Sequence, residues 1–198
     1  MVKRGGRPEF HFCTLPPPIN GEDYVGAFEE GTACLLWPFQ KDEIMLIPSF
    51  PKLPASSEQT SHPYKVQPDP LRGGKQMVAT QALTCGDLVI AERPIIIYPT
   101  AIPIARGSRN SHPDSYLSKL LQPDLLDDHR RRQFLDLHNC YGISQESPLL
   151  TGISNTNSIH VGQLPGPHQN VSYSGVANEI SRINHRLACF ICFDIIEH

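Results

Sequence analysis

Four groups of residues have the types and spacing to do chemistry. Gly73-Gly74, followed by Lys75 and Gln76, forms a glycine-rich turn. Glycine has no Cβ and reaches positive φ freely, so such a turn lets a ligand approach the backbone closely. Its successive N–H groups can hold a carboxylate; the competing reading is a plain hairpin turn. Asn184-His185 ends a short apolar-spaced segment and offers polar side chains to a ligand, or else caps a helix end. Cys189 and Cys192 form a C-x-x-C pair, but a structural zinc site needs four ligands and no second pair exists. Ser181 lies near His185, yet there is no G-x-S-x-G elbow, and proximity in sequence does not make a catalytic triad.

The elements that must position these groups can be read from pattern. Met77 to Thr80, Leu88 to Ala91 and Pro94 to Tyr98 are short β-prone runs, with turns at Gly73-Gly74 and Gly86-Asp87. A helix capped by Asp114 or Ser115 is expected through Leu121, and a second from Pro123 to about Asn139. Residues 141 to 170 read as loops and short extended pieces. Val176, Ile180 and Ile183 are spaced for a short amphipathic helix leading into Asn184-His185. The fold class is therefore a β-rich α+β arrangement of short strands and tight turns with an inserted helical segment at about 112–140.

Composition bounds the rest. The 198 residues suffice for one domain, and most of the 19 prolines fall in the first half. Residues 1–65 read as a Pro-rich, loosely structured extension, interrupted by an apolar island from Cys34 to Phe39 and Ile44 to Ile47 that should pack against the rest. The net charge of −3 does not suggest a nucleic-acid or anionic-membrane partner. The run Arg130-Arg131-Arg132 reads as a solvated helix face. No signal peptide or membrane-spanning run is seen, so an intracellular protein with reduced thiols is expected, in nucleus or cytoplasm.

Two blocks in the right order carry a resemblance: Arg72 to Thr80 with Cys85 to Pro94, and Glu179-Ile-Ser-Arg-Ile-Asn-His185. Between them lie Phe134 to Cys140 and Thr156-Asn157-Ser158. Together, over about residues 66–186, they resemble the SET family of S-adenosylmethionine-dependent protein-lysine methyltransferases, and more narrowly its fungal members related to the SMYD group. The resemblance implies a partial SET domain at 66–186. It implies that S-adenosylmethionine is held by the turn Gly74-Lys75-Gln76 on one side and by Asn184-His185 on the other, with a further contact from Asn157. The implied partner is a protein substrate offering a lysine side chain. Positioning supplies much of the acceleration in such in-line methyl transfer.

The pattern departs from the family at Gln76, where a glycine is usual, and at Ala177, where an aromatic is usual. After His185 the family continues Ser-Cys-x-Pro-Asn, whereas residues 187–198 show no family pattern. The expectation is that this chain lacks the catalytic tyrosine strand and is inactive alone. An AGG codon at Arg186 read into an intron would account for the break, and the apolar tail would make the chain poorly soluble. The alternative is a non-catalytic fragment that acts as an interaction module or has no function.

Overall fold

The computed structural model describes residues 10–15, 31–47, 62–71, 73–101, 113–144, 148–165 and 171–183. The chain is a mixed α+β protein built on a five-stranded sheet and a separate two-stranded hairpin. In chain order the elements are β1 (His11–Leu15), β2 (Thr32–Leu36), α1 (Gln40–Met45), β3 (Tyr64–Pro68), β4 (Lys75–Ala79), β5 (Ile96–Pro99), α2 (Pro113–Leu120), α3 (Asp128–Leu135), α4 (Leu149–Asn157), β6 (Ser158–Gln163) and β7 (Ser172–Val176). A single 3-10 turn, Ile180–Arg182, follows β7.

The sheet order is β1-β2-β5-β7-β6, antiparallel except for the β2/β5 pair. All five residues of β2 are buried, and strand alternation splits them between two cores. Ala33 and Leu35 join Ile95, Ile96, Leu120, Phe134, Ile153 and Val176 on the helical side. Cys34 and Leu36 join Leu15, Ile44 and Tyr173 on the other. Cover on both faces at the centre of the sheet explains why β2 and β5 carry apolar side chains on both sides, whereas the edge strand β6 alternates.

The N-terminal stretch is therefore not a loose extension where it is described. Its apolar segments form two sheet strands and α1, and Thr14 Oγ1 donates to Leu125 O at 2.6 Å, tying β1 to the helical region. Prolines dominate the composition around these segments, but the energetics follow the buried apolar residues.

The strands at 77–80 and 94–98 appear, shifted slightly, as β4 and β5. Leu88 to Ala91 form no ladder. The first expected helix is α2. Pro123 instead lies in a turn in which Gln122 O accepts from Leu125 N and Leu126 N, and α3 starts at Asp128. Asp127 caps it, its Oδ1 accepting from His129 N at 2.6 Å and Arg130 N at 2.9 Å.

Three further expectations are corrected. Leu149 to Asn157 is a helix, not extended chain, because burying Ile153 and packing Gly152 against Asn139 outweigh the weak helix propensity of Ser-Asn-Thr-Asn. Val176 belongs to β7, paired with Ile96 and Ser158, so the expected amphipathic helix shrinks to one 3-10 turn. The basic run is likewise not a solvated face. Arg130 is buried, and its guanidinium donates to the carbonyls of Gly31, Arg93 and Pro94. Arg131 pairs with Asp128 at the surface, and Arg132 is exposed.

Asn184, His185, Arg186, Cys189, Cys192 and the tail at 187–198 lie outside the described residues. Among the described residues no helix is long and apolar enough to cross a membrane, and no group of three or more His, Cys, Asp or Glu side chains could hold a metal ion.

Candidate functional site

Asn157 stands where α4 becomes β6. Its Nδ2 donates to His138 O and to Ile153 O, both at 2.7 Å, so both amide hydrogens are spent within the chain. This closes the end of α4 and fastens it to the segment after α3. Ser181 Oγ donates to Asn157 O at 2.9 Å and accepts from Ala177 N at 3.3 Å. Ser181 is thus a tie between the 3-10 turn and the α4/β6 junction rather than a nucleophile.

The 3-10 turn has a second anchor. The Glu92 carboxylate accepts from the amides of Asn178 (2.8 Å), Glu179 (2.8 Å) and Ile180 (2.9 Å). Burial pushes the Glu92 carboxyl up, while the three amide donors pull it down. Tyr64 donates its hydroxyl to Glu179 Oε2, which links β3 to the same turn. Burial, followed by that hydrogen bond and the charges of Glu179 and Glu92, raises the Tyr64 phenol far above its ordinary value.

The glycine-rich turn is the β3/β4 hairpin loop. Gly73 and Gly74 have φ of 76° and 72°, where a side chain would be strained. Gly73 N donates to Asp69 O at 3.0 Å, and Asp69 N to Gly74 O at 3.1 Å. The open side of Gly74 faces His138; a Cβ there would lie 3.2 Å from the histidine Cβ.

These parts converge on one pocket of about 650 Å³. Its walls include Gly73 and Lys75 from the hairpin, His138 and Cys140 from the segment after α3, Asn157, and Arg182 from the 3-10 turn. The size suits a small-molecule or cofactor ligand. Lys75 donates to Asp136 Oδ2 at 2.6 Å, and Arg182 Nη2 reaches the same oxygen at 3.2 Å.

Of the residues singled out from sequence, Lys75 and Asn157 meet at this pocket, and Gly74 stands beside it against His138. Gln76 is not on the wall, since it follows Lys75 in β4 and successive strand residues face opposite ways. Asn184 and His185 lie outside the described residues, immediately after Ile183, which does line the pocket. Sequence reading missed His138, Cys140 and Arg182. Arg182 could have been suspected as the one cation among the apolar positions Ile180 and Ile183. Nothing local marks His138, whose position comes from the packing of the α3 end on the hairpin.

No protein-family model matches the chain, and no curated protein or solved structure matches it either.

Proposed function

We propose that this pocket binds S-adenosylmethionine, as the cofactor half-site of a SET-type protein-lysine methyltransferase. The observation that carries the reading is the convergence of three distant segments, around Gly73–Lys75, Asn157 and Ile180–Ile183, on one polar cavity. The motif resemblance implies a site built from the Gly74-Lys75-Gln76 turn, Asn157 and Asn184-His185, and of these Lys75 and Asn157 line the pocket while Ile183, on its wall, directly precedes Asn184.

The residues fit a ligand of this kind. The cavity has the volume, the Gly73 end offers backbone without side chains, and Lys75 and Arg182, which share the single carboxylate of Asp136, leave one net positive charge for a ligand carboxylate. Asn157 contributes differently from what the resemblance implies. With both amide hydrogens engaged by His138 O and Ile153 O, it shapes the wall rather than donating from Nδ2 to a ligand. Bound, the sulfonium would supply the transferable methyl group. The chain's own residues orient the ligand and exclude water.

The function proposed for these residues is cofactor binding. A second reading, an interaction module, is favoured by the exposure of Leu71 (93%), Ile143 (77%) and Phe39 (70%). Photo-crosslinking with labelled S-adenosylmethionine, followed by peptide mapping, separates the two. The cofactor reading expects label within 137–140 or 180–183. Label confined to other segments, or none, would overturn it.

A further inference from the structure

Asp136 is the C-cap of α3, at the negative end of the helix dipole, where a carboxylate is locally the wrong sign. Its placement therefore calls for a non-local reason. One oxygen, Oδ2, receives both Lys75 Nζ at 2.6 Å and Arg182 Nη2 at 3.2 Å. Lys75 opens β4 directly after the Gly73-Gly74 turn, and Arg182 closes the 3-10 turn. Both line the pocket, whereas Asp136 does not.

We infer that Asp136 is the positioning residue of the pocket, a latch that fixes the glycine hairpin and the 3-10 turn relative to one another through a shared carboxylate oxygen. The exposed Lys75 arm would by itself count for little, because solvent screens it. The Arg182 arm is different. That side chain is only 7% exposed, and its other partner, Asn178 Oδ1 at 3.0 Å, is neutral. Asp136 itself is 55% exposed, so water screens part of this contact, but without its charge the Arg182 guanidinium keeps only the neutral Asn178 Oδ1 as side-chain partner and the turn loosens as the cation is hydrated. The carboxyl of Asp136 is held below its ordinary value by Lys75 and then by Arg182, consistent with a charge that both cations use.

The test uses the full chain with Asp136→Asn, Asp136→Glu, Lys75→Met and the Asp136→Asn/Lys75→Met double variant. The first readout is hydrogen exchange at the amides of Arg182 and Ile183, which bond to Glu179 O and Ile180 O. Asp136→Asn is expected to speed exchange there by about tenfold while leaving the β2 and β5 amides unchanged, with Asp136→Glu restoring most of the protection. The second readout is S-adenosylmethionine affinity. Asp136→Asn should weaken it by about tenfold, and the double variant should fall short of the sum of the single effects. This binding arm rests on the cofactor-site reading, and the exchange arm does not. A wild-type chain that ignores S-adenosylmethionine would remove that reading and leave exchange to decide the latch. Unchanged exchange in Asp136→Asn, or loosening spread evenly through the sheet, would overturn the latch itself.

Discussion

Ser181 Oγ donates to the carbonyl of Asn157 at 2.9 Å, joining two residues 24 positions apart at the floor of the pocket. The same Asn157 spends its amide hydrogens on His138 and Ile153. One residue therefore gathers α4, the segment after α3 and the 3-10 turn. The pocket exists because these polar groups are satisfied by one another, and the predictions below follow from that.

Asn157→Ala should destabilise the protein by about 1–3 kcal/mol, since it leaves two carbonyls without their donor in a largely buried position. Chemical denaturation measures this. Asn157→Asp should fare no better, because a carboxylate cannot donate to His138 O or Ile153 O. A loss under about 0.5 kcal/mol would mean that these bonds do not hold the α4 end.

Glu92→Gln should cost about 1–3 kcal/mol as well. The amide keeps one oxygen for the three N–H groups of Asn178, Glu179 and Ile180 and turns its own donors toward them. The loss should be local, with fast hydrogen exchange from Asn178 to Ile183 while β3 and β4 remain protected. Uniform loss across the chain would contradict the assignment of Glu92 to the turn.

Arg130→Met should lower stability by about 3 kcal/mol, because the carbonyls of Gly31, Arg93 and Pro94 lose a charged donor together. By contrast, Arg132→Met, at an exposed position on the same helix, should stay within about 0.5 kcal/mol of wild type in the same melts. Equal effects would return the run to the solvated face that its sequence suggests.

How much was legible follows from where each signal is stored. The Gly73-Gly74 turn, β4, β5 and α2 are written locally and were readable, although Asp114 and Ser115, read as caps of α2, lie inside the helix, where the Asp114 carboxylate accepts from Thr151. The strand β2 falls largely within the Cys34–Phe39 island whose apolar run announces packing, but its place in the sheet, and β1 altogether, sit among prolines and polar residues that hide them. Helix α4 runs against its own Ser-Asn-Thr-Asn propensity and is decided by packing against Asn139. Arg130 looks like any surface arginine until the carbonyls of Gly31 and Pro94, far away in sequence, are seen around it. At the pocket, Lys75 and Asn157 came from motif order. His138 and Asp136 depend on how the end of α3 meets the hairpin, which no local pattern encodes.

Acid should open the Asp136 latch only well below neutrality. Its folded-state carboxyl value is depressed, by Lys75 first and then Arg182. The contribution is therefore present above the unfolded carboxylate value of about 3.9 and is lost as pH falls through the lower folded value. Because Glu92 anchors the same turn and its carboxyl is raised by burial, the readout is the difference in exchange at Arg182 and Ile183 between wild type and Asp136→Asn, which should hold from about pH 5 to 8 and close only below about pH 4. A difference that closes near pH 6 would assign the latch to another group.

The most direct test of the central claim is isothermal titration of the chain with S-adenosylmethionine, alongside Asn184→Ala and Gln76→Ala. The account predicts saturable one-site binding that is abolished in Asn184→Ala and preserved in Gln76→Ala, because Gln76 does not line the pocket. Absence of binding in the wild-type chain, or binding indifferent to Asn184→Ala, would contradict it.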